Sequence, residues 1–197
     1  MAQKWELIRK AISAAFFISL GNYALLKLGN PIGPVIFGLG LLGVCYMGQN
    51  LFTGKCGFWF ADKIKTVDLL IILVVNLIAG WLCGFVYSFL DPEVVENAIA
   101  KVGTWEMSFP FLIKAILCGA IMYIAVFMYR KGTALGIIYG IPLFIFCGFQ
   151  HCIANVITLG VARTFDWSLI LAIIGNWIGS LLVWYFTKDM KIKDKAA

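Results

Sequence analysis

Gly148-Phe149-Gln150-His151-Cys152-Ile153-Ala154-Asn155 carries the only histidine in the chain and lies inside a long apolar run, residues 133–159. One hundred residues earlier, Gly48-Gln49-Asn50-Leu51-Phe52-Thr53-Gly54 interrupts a second apolar run, residues 34–59. Backbone N–H and C=O groups at membrane depth cannot be left facing lipid. Polar, glycine-containing interruptions therefore predict two broken helices whose gaps meet around a polar or water-lined site.

The rest of the chain supports a membrane setting. Of its 197 residues, 62% are hydrophobic and only 13% are charged, and the mean hydropathy is +0.93. A soluble domain has about a quarter of its residues charged, so an all-α integral membrane protein is expected. Apolar runs place spans at 7–28, 34–59 (broken), 66–90, 110–129, 133–159 (broken) and 167–186. At about 20 residues per span, these transmembrane helices use most of the chain and leave only short loops. A single transmembrane domain over residues 1–197 is expected, with no separate soluble domain. Lys4, Arg9 and Lys10 followed by apolar residues 11–28 have the form of a signal peptide. No clear cleavage segment follows, so this stretch is read as the first span. The second run, 26 residues long, exceeds the hydrocarbon core unless it bends or breaks. Gly38, Gly40, Gly43, Gly48 and Gly54 offer small surfaces for close helix packing.

Orientation follows from the basic residues. With both termini cytoplasmic, the inner segments hold Lys4, Arg9, Lys10, Lys55, Lys63, Lys65, Arg130, Lys131, Lys188, Lys191, Lys193 and Lys195. The outer loops hold Lys27, Lys101 and Arg163, together with the acids Asp91, Glu93, Glu96, Glu106 and Asp166. Such a bias predicts a multi-pass protein of the cell (plasma) membrane with N and C termini inside. The net charge of +6 thus belongs to span ends, and no nucleic-acid partner is expected. Cys45, Cys56, Cys83, Cys118, Cys147 and Cys152 lie in spans or at their ends and are read as small packing residues. A metal site on Cys147, His151 and Cys152 finds little support, because Cys152 points away from the helical face the other two share and no fourth ligand is evident. No cofactor is expected.

The two halves of the chain resemble each other. Ile8-Arg9-Lys10-Ala11-Ile12 matches Leu112-Ile113-Lys114-Ala115-Ile116, Gly48-x-Asn50 matches Gly148-x-Gln150, and Asn76-Leu77-Ile78-Ala79-Gly80 matches Asn176-Trp177-Ile178-Gly179-Ser180. These pairs recur in order at offsets of 100 to 104. With three spans per half, the second copy enters the membrane upside down, so two inverted three-helix repeats are expected, at about 5–92 and about 105–190.

In the membrane interior, away from the span ends, the ionisable groups are Lys114 and His151, and no carboxylate is expected. Intramembrane ionisable residues are functional by default, and a path lined by basic and amide donors favours small anions over cations. Lys114 lies about five residues into its span, roughly 7.5 Å from the outer interface. It either snorkels to the headgroups or forms a cationic vestibule that concentrates anions. His151, near the midplane, is either a packed histidine or a proton-sharing centre, since imidazole titrates near neutrality. Asn76 and Asn176 at matching places serve interhelical hydrogen bonds or donate to an anion.

Phe37-Gly38-Leu39-Gly40-Leu41, Leu51-Phe52-Thr53-Gly54, Lys114-Ala115-Ile116-Leu117-Cys118, the His151 stretch and Gly175-Asn176-Trp177-Ile178-Gly179 together resemble the formate/nitrite transporter family over nearly the whole chain. The resemblance implies an aquaporin-like six-helix fold, a homopentamer, and one pore per subunit for small monovalent anions such as formate, nitrite or hydrosulfide. It implies that His151 is the central pore histidine and that Thr53 lies in the loop breaking the second span. It sets Phe37, Leu41, Leu51, Phe52 and Phe144 in constrictions around that histidine, and Asn176 beside the pore. Where the family usually has an acid before Leu-Phe-Thr this chain has Asn50, and where it usually has Glu before the histidine this chain has Gln150. The asparagine usual after Leu-Cys in the fourth span is Gly119 here.

A neutral-solute channel for water or glycerol suits the same architecture. The Asn-Pro-Ala loops of aquaporins are missing, however, and Asn30-Pro31 falls in a surface turn. Enzyme chemistry is not expected. Haem ligation normally takes two histidines, and neither His-Glu-x-x-His nor a Gly-x-Ser-x-Gly elbow is present.

Overall fold

The computed structural model describes residues 2–190 of the chain. Lys191, Lys193 and Lys195, which the positive-inside reading assigns to the inner side, lie outside the described residues. Those described form helices joined by turns, with no strand among them. Four helices are long and apolar enough to cross a bilayer: α1 (Ala2–Leu28), α4 (Thr66–Tyr87), α6 (Phe109–Arg130) and α9 (Ser168–Thr187). Between them run shorter pieces. α2 (Ile32–Tyr46) stops before α3 (Phe52–Lys55), which continues as a 3₁₀ turn over Cys56–Phe58. Likewise α7 (Leu135–Phe146) stops before α8 (Cys152–Val161). Both expected interruptions are therefore real gaps in helical structure.

α5 (Pro92–Val102) differs from expectation, since that stretch reads as an outer loop from the apolar runs alone. Local chemistry explains it. Asp91 caps the helix by accepting the Glu93 N–H at 3.0 Å, with Pro92 in the first turn. Val94 and Ala98, one turn apart, are buried against Leu26 and Val161. Lys27 pairs with Asp91 and Glu93, and Asn97 donates to the Leu26 carbonyl at 2.9 Å. α5 is thus fastened across the ends of α1 and α8.

The bundle packs α1 on α2 and α4, α6 on α7 and α9, and α4 on α8. Small residues allow backbone-to-backbone approach at the last contact: a β-carbon on Gly84 would overlap the Ile157 carbonyl, and one on Gly160 would overlap that of Trp81. Polarity is inverted relative to a water-soluble protein. Asn22, Asn76, Asn176, Thr158 and Ser180 are fully buried, while Phe16, Leu20, Val74, Ile78 and Leu82 are exposed. Apolar side chains outside and hydrogen-bonded polar groups inside suit a hydrocarbon solvent.

Candidate pore site

Each gap opens with a glycine that reverses the chain. Gly48 and Gly148 have φ of +60° and +66°, a left-handed conformation that a β-carbon disfavours. Gln49 and Phe149 then donate N–H groups back to the Val44 and Phe144 carbonyls, both at 2.9 Å. The chain next extends through Leu51 and His151, which precede α3 and α8 at equivalent places.

An asparagine holds each gap. The Asn76 Oδ1 accepts the Phe52 N–H at 2.8 Å, and the Asn176 Oδ1 accepts the Cys152 N–H at 2.8 Å. The Asn76 Nδ2 donates to the Ala11 and Asn50 carbonyls at 2.8 and 3.1 Å. The Asn176 Nδ2 donates to the Ala115 and Gln150 carbonyls at 2.8 and 2.7 Å. The Asn50 and Gln150 N–H groups reach the Lys10 and Lys114 carbonyls at 3.2 and 3.4 Å. The two halves therefore share one hydrogen-bond scheme.

Side chains at the equivalent places differ, and this makes the site chemically one-sided. Leu51 in one half stands where His151 stands in the other. The buried imidazole caps α8, its Nδ1 accepting the Ala154 N–H at 3.1 Å. A nitrogen that accepts from an amide carries no proton, so the ring is neutral with its hydrogen on Nε2. The Nε2–H then donates to the Thr53 Oγ1 at 2.9 Å, joining the two gaps directly. Phe144 stacks on the imidazole with centroids 5.8 Å apart, and Phe37 meets Phe144 edge-on at 6.0 Å.

Two cavities lie near this contact, one lined by His151 itself and one by Leu51 and Gly54, close to Thr53 in the chain. One, about 60 Å³ and on the α5 side, is lined by Phe37, Phe144, Gln150, His151, Asn155 and Lys101. The other, about 170 Å³, is lined by Leu41, Leu51, Gln49, Lys55, Tyr129 and Arg130. Phe37 and Leu41 lie four residues apart on α2, so about 6 Å of helix separates the two linings. Arg130 is held at the second cavity by a two-pronged contact with Asp62 at 3.0 and 2.8 Å and by the Phe58 ring beneath it.

The structure thus brings together His151, Thr53, Phe37, Phe144, Leu41, Leu51 and Gln150. Other expected residues sit differently. Phe52 is fully buried edge-on against Trp177, 5.7 Å between centroids, and lines neither cavity. The Asn176 amide is committed to backbone groups, so it builds the gap rather than facing a solute. Asn50 is buried, and its Nδ2 donates to the Leu7 carbonyl at 3.3 Å. Lys114 borders the site through its carbonyl, while its side chain is exposed and outside the cavity linings. Among the described residues, no three of His, Cys, Asp and Glu gather as a group that could hold a metal.

Lys101 and Asn155 were not singled out from sequence. Asn155 donates to the Gln150 Oε1 at 2.9 Å, a contact that the spacing of five residues across a helix start conceals. Lys101 was hidden by reading α5 as a loop. The signals for that helix were Asp91-Pro92-Glu93 as a start and Val94, Ala98 and Val102 at helical spacing.

Comparison with known proteins decides the family. A family model described as Formate/nitrite transporter matches residues 2–188. This chain belongs to the formate/nitrite transporter family. An uncharacterized transporter of Bacillus subtilis, YrhG, is 29% identical over 203 aligned positions, covering 85% of this chain and 76% of the relative. The formate channel FocA of Haemophilus influenzae is 27% identical over 148 positions, 64% of this chain and 51% of that protein. In three dimensions the chain is similar to a pentameric formate channel solved with formate bound, with a TM-score of 0.78, 19% identity, and 97% and 100% of the two chains covered. Another ion channel of the same family gives a TM-score of 0.71 at 21% identity, over 92% and 86%. The chain is thus a multi-pass membrane protein with the fold of a channel family. Within that fold Gly119 has a steric reason, because a β-carbon there would overlap the Asn176 carbonyl oxygen where α6 and α9 touch.

Proposed function

We propose that this chain is a channel or proton-linked transporter for small monovalent weak-acid anions, with formate, nitrite and hydrosulfide as the candidate substrates. The observation that carries it is His151: a buried, neutral imidazole, hydrogen-bonded across the two helix gaps and lining one cavity, with a second cavity bounded by Leu41 and Leu51. We read α1, α2 with α3, α4, α6, α7 with α8, and α9 as six crossings in two inverted three-helix repeats with an aquaporin-like arrangement. The shared hydrogen-bond scheme of the two gaps supports this reading. By likeness to the pentameric formate channel, the assembly is a homopentamer with one pore per subunit. The positive-inside bias assigns the termini to the cytoplasm of a plasma-membrane protein, so the α5-side cavity faces outward.

An anion entering from either cavity meets amide, hydroxyl and cationic groups before an apolar wall of Phe37, Phe144, Leu41 and Leu51. Lys114 adds positive potential at the outer end. Asn50 and Gln150, amides in place of acids, keep hydrogen bonds at the gaps without adding negative charge that would repel the solute. At the wall the Nε2–H is taken by the Thr53 Oγ1, which leaves the Thr53 hydroxyl hydrogen as the free donor. The ring holds one proton, so passing it to an anion would leave imidazolate. Proton-linked passage therefore needs a second proton on Nδ1, which must first release the Ala154 N–H.

Proteoliposome flux of formate, nitrite and hydrosulfide between about pH 5 and 8, with and without a proton gradient, tests this. His151→Asn is expected to abolish or reshape the pH dependence. Swelling with glycerol in the absence of any anion flux would instead identify a neutral-solute channel and defeat the proposal.

A further inference from the structure

Lys101 lies in the last turn of α5, outside the spanning bundle, and lines the cavity that contains His151. The acids that form ion pairs among the described residues are taken by other bases: Asp91 and Glu93 by Lys27, Glu6 by Lys10, and Asp62 by Arg130. Among the described residues, no carboxylate lies within ion-pairing distance of Lys101. A partly buried ammonium without a counter-ion, at the rim of a cavity, is short of negative charge. Neighbouring amides carry no negative charge to supply it, and the Gln150 side chain is already engaged, its Oε1 accepting from Asn155 and its Nε2 donating to the Gly148 carbonyl at 3.1 Å. The cavity, about 60 Å³, has room for a few waters or for one small ion with part of its shell. The other end of α5 is tied down by Lys27, Asn97 and the Asp91 cap, so packing fixes where Lys101 stands.

We propose that Lys101 is the cation that receives the transported anion at the α5 end of the path, making this short helix a specificity-determining part of the pore. The inference rests on the anion transport proposed above and extends it to a residue off the spanning helices. An anion leaving water at this mouth exchanges part of its hydration for the ammonium before it reaches His151 and the aromatic wall. A neutral solute gains nothing there, and a cation is repelled.

The test is formate uptake by the full-length protein in oriented vesicles, comparing wild type with Lys101→Gln, Lys101→Arg, Lys101→Glu and Lys114→Gln. Lys101→Gln is expected to raise half-saturating formate on the α5 side about tenfold, as loss of a focused charge does, with the maximal rate within about twofold of wild type. Lys101→Arg keeps the charge and stays near wild type, while Lys101→Glu suppresses uptake. Wild-type half-saturation in Lys101→Gln overturns the proposal and leaves transport standing, as does equal impairment of the Gln and Arg variants, which would mark a packing role. An effect of Lys114→Gln with none of Lys101→Gln would move the receiving charge to the spanning helix. Absence of formate, nitrite and hydrosulfide flux in wild type would sink the transport function and this proposal together.

Discussion

At the residue scale, the site turns on which atom of which side chain is already engaged. The His151 Nδ1 is occupied by the Ala154 N–H, and Nε2 faces Thr53. Thr53→Val would leave that Nε2–H buried without an acceptor, at about 1–3 kcal/mol. A lower thermal midpoint and altered flux are expected, with Thr53→Ser restoring both; a stable, fully active valine variant would remove Thr53 from the site. Lys101 makes a second prediction. Burial holds its ammonium down at about 8, from an ordinary value of 10.5. It is therefore mostly charged at neutral pH and loses its charge as pH rises through that value. Half-saturating formate should climb toward the Lys101→Gln value as the outside pH goes from about 7 to about 9, and stay flat in Lys101→Arg. His151 shares the cavity with Lys101; the other titratable groups on α5 and the elements packed against it include Lys27 and Tyr23 of α1, Tyr87 of α4, Cys152 of α8, and Asp91, Glu93 and Glu96 of α5 itself. An arginine variant with the same pH curve would assign the effect to one of these.

At the element scale, the half-helices are short, and something outside them must satisfy their ends. Asn76 and Asn176 each accept one helix-starting N–H and donate to two carbonyls. Asn76→Ala and Asn176→Ala are expected to cost similar stability, about 1–3 kcal/mol for each backbone group left unpaired. The check is the thermal midpoint of the purified protein, and strongly unequal losses would mean that the two gaps do not bear equivalent loads. Gly148→Ala places a β-carbon at φ +66° with nothing crowding it. Its cost should be the left-handed strain alone, about 1–2 kcal/mol, read as a modest drop in the same midpoint.

For the whole molecule, orientation decides which cavity meets which compartment. The bias of basic residues predicts that a reporter inserted in the turn after Arg130 reads cytoplasmic, and that one at Gly103-Thr104, beyond α5, reads external. The reverse pattern would exchange the roles of the two mouths and make Lys101 an inner residue. The second cavity, with Lys55 and Arg130, would then face outward. The exposed apolar belt on α1 and α4 is available to lipid and to neighbouring copies alike.

Composition and hydropathy were sufficient for a helical membrane protein, because a bilayer demands long apolar helices whatever their partners. The two gaps were legible as well, since glycine and amides inside apolar runs have few other uses there. The family motifs marked His151, Thr53, Phe37 and Phe144 before any geometry. Only the tertiary structure turned Phe52 toward Trp177, spent the Asn176 amide on backbone, and joined Thr53 to His151 across 98 residues. Only it carried Lys101 from an apparent loop to the cavity. The periodicity of a sequence reports which face of an element is apolar, whereas the partner of a polar atom is set by whichever distant segment packing brings within about 3 Å.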